Sequence, residues 1–145
     1  MRSHHILLSA ISLALTACAS SGTPTEPIVY SQTEAADSVR IQVGQTIAVG
    51  GIRVRFSAVE SDSRCPSDVV CVWAGDAIAA FVAEQNCDCR TPAYDLKLHT
   101  TLQPKSAAVH GYRIELLHLV PYPNSATPIK RGDYAAWLRV VPIEG

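Results

Sequence analysis

The chain has almost no excess charge of either sign: 12 lysines and arginines against 13 aspartates and glutamates leave a formal net charge of −1 at pH 7. Nucleic-acid binding and electrostatic attraction to an anionic bilayer both need a basic excess, so neither is indicated. Long apolar runs are also missing. The longest, residues 6–15, is too short to cross a membrane as a helix. No window carries an apolar stripe at helical spacing, and there is no internal repeat, heptad or block of like charge. The vocabulary of familiar catalytic sites is absent as well, with no G-x-S-x-G, H-E-x-x-H, P-loop or dinucleotide fingerprint. The sequence therefore calls for no catalytic residue and no cofactor.

What is present begins with Arg2, His4 and His5, the apolar run, and small residues up to Cys18, the pattern of an export signal. Leu15-Thr16-Ala17-Cys18 resembles the lipobox of bacterial lipoproteins. That resemblance implies diacylglyceryl transfer to the Cys18 thiol, cleavage after Ala17 and acylation of the new amine. Each acyl chain contributes about 0.8 kcal/mol per buried methylene, so two or three chains anchor stably. Ala19 is not the aspartate linked to inner-membrane retention, so the resemblance implies an outer-membrane protein facing the periplasm or the cell surface. The expected division is a signal peptide over 1–17, an acylated cysteine and flexible tether over 18–37, and a single β domain over 38–145. The tether's Ser, Thr, Pro, Gly, Glu and Ala bury little, and coil of that length reaches about 25 Å.

From residue 38 the apolar residues alternate with period two. Val39, Ile41 and Val43 face one way, with Arg40 and Gln42 opposed; Ile52, Val54, Phe56 and Ala58 repeat the pattern. Gly50-Gly51 supplies the positive φ of a tight hairpin between 46–49 and 52–59. Further strands are expected over 77–84, 93–100, 110–120 and 135–141. About seven short strands make an all-β domain, a compact antiparallel sandwich or barrel. Residues 121–132, with three prolines, form the longest irregular stretch, and loops of that length often carry binding. His99 is expected in solvent opposite Leu96 and Leu98. His110 and His118 share the face of Ile114 and Leu116, but eight residues of strand hold them about 26 Å apart, too far to share a metal.

Setting Cys18 aside leaves Cys65, Cys71, Cys87 and Cys89. A strand over 73–84 would separate the first two from the last two by about 35 Å. A disulfide needs Cα atoms about 4.4–6.8 Å apart. Cys65 and Cys71 are thus expected to pair, closing a seven-residue loop that contributes about 2 kcal/mol on the chain-entropy model. Cys87-Asp88-Cys89 leaves three readings: a strained local disulfide, a free thiol pair, or bonding elsewhere. Zinc would want four ligands, which C-x-C alone does not supply. Copper(I) accepts two thiolates, so Cys87 and Cys89 define the alternative function, thiol-redox or copper(I) handling.

Asp62-Ser63-Arg64-Cys65-Pro66, then Cys71, then Trp73-Ala74-Gly75, resembles a signature of small, uncharacterised bacterial envelope lipoproteins. The resemblance extends more loosely to Tyr112-Arg113-Ile114, Pro121-Tyr122-Pro123 and Tyr134, and implies a class and a location but no activity. The residue types have their own logic: Asp62 can accept backbone N–H groups and pair with Arg64, Pro66 fixes φ, Trp73 is expected to pack on the sulfurs, and Gly75 permits close approach. The functional expectation is a non-catalytic interaction module whose disulfide-constrained loop presents Arg64, Ser67, Asp68 and Val69, with Tyr122 from the 121–132 loop, to an envelope protein partner. A rigid loop lowers the ordering cost of binding.

Overall fold

The computed structural model describes residues 38–87 and 89–143. The lipobox with Cys18, the signal peptide and the tether lie outside them. The domain is all-β: β1 (Val39–Gln42), β2 (Thr46–Val49), β3 (Ile52–Asp62), β4 (Ala77–Gln85), β5 (Tyr94–His99), β6 (Ser106–Val109), β7 (Tyr112–Val120) and β8 (Ala135–Pro142). All pairings are antiparallel, in two four-stranded sheets of order β1-β8-β7-β6 and β2-β3-β4-β5. Read around the molecule, the strands follow chain order, as in an up-and-down barrel. The ring is open between β1 and β2 and between β5 and β6, so the result is a sandwich and not a closed barrel.

Alternation builds the core. Ile52, Val54 and Phe56 of β3 and Ala77, Ala79, Phe81 and Ala83 of β4 point inward and are buried. They face Ile41, Ile114, Leu116 and Leu138 of the other sheet. The three inward alanines of β4 leave room for two large rings: Phe56 and Phe81 are register partners whose rings stack at 4.8 Å. Each large apolar side chain buried in this way contributes about 1.5–3 kcal/mol.

The structure departs from the strand reading in several places. The bulge between Phe56 and Ala58 puts Val59, not Ala58, against the core. Among the described residues there are eight strands, because Ser106–Val109, too uniform in small residues to show alternation, pairs with β7. His110 does not lie in a strand; with Gly111 it makes the β6–β7 turn, at φ 49°. A bulge between Leu116 and His118 then shifts the inward parity from Leu116 to Leu119 and leaves His118 exposed, so the two histidines share no strand face.

The antiparallel order sorts the connections. One end carries the β1–β2, β3–β4, β5–β6 and β7–β8 loops. The opposite end carries the Gly50-Gly51 turn, the β4–β5 loop with Cys87 and Cys89, and the His110-Gly111 turn. At that second end Tyr112 lies over the glycine turn, its Oη accepting the Gly51 N–H at 2.8 Å. A Cβ on Gly50, whose φ is +57°, would sit 2.8 Å from the same oxygen.

Candidate functional site

The β3–β4 loop is built from its base outward. Two backbone bonds extend the β3/β4 ladder beyond the strands, Ser63 N–H to Asp76 O at 2.7 Å and Cys65 N–H to Ala74 O at 2.9 Å. Gly75 makes the second crossing feasible: at φ +70° it passes so close to residue 63 that a Cβ would fall on the Ser63 carbonyl. Above this base Cys65 and Cys71 are joined, Cα atoms 5.9 Å apart.

Arg64 is the keystone of the base and is only 5% exposed. Its Nε and Nη2 donate to the two Asp62 carboxylate oxygens at 2.8 and 2.6 Å. Nη1 donates to the Leu119 carbonyl at 2.6 Å and Nη2 to the Pro121 carbonyl at 2.9 Å. The guanidinium also lies 5.0 Å from the ring centroid of Tyr122. Tyr134 Oη donates to Asp62 at 3.1 Å. Burial pushes the Asp62 pKa up, but the hydrogen bonds and charge of Arg64, with Tyr134, hold it below the usual carboxylate value. Burial and the Asp62 charge raise that of Tyr134. One buried cation thus fastens the β3–β4 loop to the start of the β7–β8 loop.

Two further ties complete the assembly. Ser67 N–H donates to Pro123 O at 2.9 Å, and Asp68 accepts from the Ser125 N–H at 2.9 Å and from the Ser125 hydroxyl. On the other side Asp76 accepts from the Thr101 and Leu102 N–H groups at 2.8 and 3.3 Å and from Thr100 Oγ1, and pairs with His99 Nδ1 at 2.6 Å. Burial opposes ionisation of Asp76, but the bonds from His99, Thr101 and Leu102 prevail and lower its pKa to about 2. His99 is therefore a partnered, largely covered residue, against the expectation of a solvated one.

On the β3–β4 loop the exposed side chains are mostly apolar, whereas the adjoining β7–β8 loop exposes Lys130, Arg131 and Asp133. Val70 is 102%, Val72 90% and Trp73 80% exposed, joined by Val69, Tyr122 and Leu102. Six of the ten exposed large apolar side chains among the described residues therefore sit at this one end. Two expectations change. Trp73 does not pack on the sulfurs: its ring stands largely in solvent, one residue before Ala74 rejoins the ladder opposite Cys65. Arg64 is not presented to solvent, because its guanidinium is enclosed by Asp62, two carbonyls and Tyr122. Ser67 and Asp68 hold the loop pair together; Val69 and Tyr122 remain at the surface. A shallow cavity of about 150 Å³ lies alongside, lined by Asp62, Asn124, Ile129, Tyr134 and neighbours. Its carboxylate is already engaged by Arg64 and Tyr134.

Comparison of the chain with protein-family models, with curated proteins and with solved structures finds no match. The site is therefore read from its own chemistry.

Cys87 and Cys89 lie at the opposite end of the sandwich, exposed and joined to each other, Cα atoms 5.2 Å apart. The chain has left β4 at Gln85 and bends there, which brings them within bridging range. Among the described residues no three His, Cys, Asp or Glu side chains gather as a metal-ligand group. The sequence reading missed Asp76, Ser125 and the exposed Val70 and Val72. Asp76 carried one usable signal, a lone acid between a glycine and an apolar strand.

Proposed function

We propose that the protein is a lipid-anchored bacterial envelope protein, held by acyl chains on Cys18 in the outer membrane, whose domain is a non-catalytic interaction module. Its contact surface is the disulfide-clasped β3–β4 loop braced by the β7–β8 loop. The observation that carries this reading is the exposure of Val70, Val72 and Trp73 on a base fastened by a buried ion pair and a disulfide. Exposed apolar clusters on an otherwise well-packed domain mark contact sites. A base that is already rigid lowers the ordering cost of the contact. The lipobox resemblance supports the anchor.

The test is a photoreactive residue placed at Val70 or, as a control at the opposite end, at His110, in intact cells. Adducts from position 70 and none from position 110 are expected. Equal yields from the two would sink the assignment of the surface. Cys18→Ala should move the protein out of the membrane fraction, and its retention there would remove the lipid anchor.

A second reading, thiol-redox or copper(I) handling, is favoured by the exposure of both Cys87 and Cys89 on a turn. It predicts that the reduced pair binds one copper(I) ion, which titration against a colorimetric chelator would detect. No competition with the chelator would eliminate the copper form of this reading.

A further inference from the structure

We infer that the clasped loop is a bilayer-insertion site: the side chains of Val69, Val70, Val72 and Trp73 enter the lipid interface of the same membrane that holds Cys18. The inference rests on the reading of this loop as the contact surface and names its partner. Three observations carry it.

The first is shape. Val70 and Val72 stand almost entirely free on a projecting tip. A protein partner would have to supply a pocket matched to that tip, whereas a bilayer accepts an apolar projection of any outline. The second is chemistry. Residues 69–75 contain no charged side chain, and the flanking acids are engaged, Asp68 by Ser125 and Asp76 by His99, Thr101 and Leu102. Protein contact centres are enriched in arginine as well as tryptophan and tyrosine, and valine is under-represented among their hot spots. Valines with a tryptophan and a tyrosine beside them match an apolar body with amphipathic rings at headgroup level. Within the tip the one backbone bond is Val69 N–H to Pro66 O at 3.3 Å, so the main chain of 70–73 has to stay where water reaches it. Insertion is therefore shallow, with side chains in and backbone at the headgroups.

The third is reach. β1 runs toward the loop-bearing end, and Val39 pairs with Leu138, three positions from Ala135 at that end. The chain thus enters the domain about 10 Å from the loop end. Residues 19–37 separate Cys18 from that entry point, and at up to about 3.3 Å per residue this length of chain is enough for the loop end to meet the bilayer that carries the acyl chains. Residues 69–75 carry no basic side chain, so their own contact depends on apolar burial, while the exposed Lys130 and Arg131 of the neighbouring β7–β8 loop would add attraction to an anionic surface.

The experiment uses the full acylated chain in vesicles of phosphatidylethanolamine and phosphatidylglycerol bearing brominated acyl chains, which quench tryptophans within the bilayer. Two variants separate the signals: Trp137→Phe reports Trp73, and Trp73→Phe reports Trp137 on β8. Strong quenching and a blue shift for Trp73 with little for Trp137 are expected, and they should persist in vesicles without phosphatidylglycerol. Adding Val70→Ser or Val72→Ser should reduce the loop's occupancy of the bilayer about tenfold per side chain lost. Both positions are exposed, and an unchanged circular dichroism spectrum would verify folding. Trp73 emission left at its aqueous wavelength and unquenched would overturn the inference. A blue shift without quenching, accompanied by dimers on sedimentation, would overturn it in favour of a second copy of this chain. If Trp73 is unquenched while position 70 still forms protein adducts in cells, lipid insertion falls and the contact surface stands; without adducts, both fall.

Discussion

Replacing Arg64 by alanine removes a guanidinium whose side chain is 3% exposed and leaves an Asp62 carboxylate, 9% exposed, with the Tyr134 hydroxyl and the residue-64 N–H as its remaining donors. It also strips the donor from the Leu119 and Pro121 carbonyls and the cation from the Tyr122 ring. Removing one partner of a buried ion pair costs about 3–5 kcal/mol, chiefly because the other charge is left uncompensated. A domain of this size is stable by about 5–15 kcal/mol, so the change consumes a large part of the total. At about 4 °C per kcal/mol, the melting temperature should fall by about 12–20 °C. Urea titration under non-reducing conditions, followed by circular dichroism at pH 7, measures the loss directly. Arg64→Lys keeps the charge but not the two-pronged geometry and should recover part of it. The pH dependence supplies an independent sign. Asp62 has a folded-state pKa below its unfolded value, so its contribution is present above the unfolded pKa and is lost as pH falls through the folded one. Without Arg64 the desolvated carboxylate binds protons more readily folded than unfolded, and that acid loss should vanish or reverse. A loss below about 1 kcal/mol, the range of an exposed ion pair, with the acid slope intact, would refute the burial of the pair.

The same reasoning gives three further expectations. Asp76, with a pKa of about 2, contributes stability that is present above pH 4 and disappears as the pH falls toward 2; Asp76→Asn should flatten the fall in urea midpoint over that window. Gly75→Ala should destabilise by more than about 3 kcal/mol, since it combines a positive φ with a Cβ on the Ser63 carbonyl, whereas Gly111→Ala, also at positive φ but with open space around it, should cost about 1 kcal/mol; equal losses in chemical denaturation would refute the contact at Gly75. In a graded dithiothreitol titration with alkylation and mass spectrometry, Cys87–Cys89 should open before Cys65–Cys71, because it is exposed and closes a very short loop; the reverse order would contradict this.

The alternation of Val39 and Ile41, or of Ile52, Val54 and Phe56, made the all-β class and most strands legible, because a half-buried strand must repeat every two residues. Legibility ended where the backbone breaks that period. The bulge before His118 inverts the facing of everything beyond it, and no residue type announces it. β6 was hidden because Ala107 and Ala108 give alternation too little contrast. At the loop cluster, local chemistry was readable and partners were not. Asp62 with Arg64 is a contact over two residues, but the burial of Arg64 depends on Leu119, Pro121 and Tyr122, more than 50 positions away. Trp73 failed for the converse reason. A large ring beside a cysteine is expected to cover it, and nothing in the local sequence signals that the Trp73 ring stands in solvent instead.

The ring-like strand order sets the sequence in which the domain can assemble. From β2 onward each strand can pair with, or lie beside, the one just made, so successive hairpins form with short loop closures and a small entropic barrier. β1 is the exception. Its hydrogen-bonded partner is β8, so the first strand among the described residues has no partner until the last of them is complete. Until then β1 lacks its hydrogen-bonding partner, and Ile41, fully buried in the finished core, is left uncovered with it. Completion of the fold is therefore a single late event, the docking of the strand nearest the N-terminus, and a chain halted before residue 135 would leave that edge open to pairing with its neighbours.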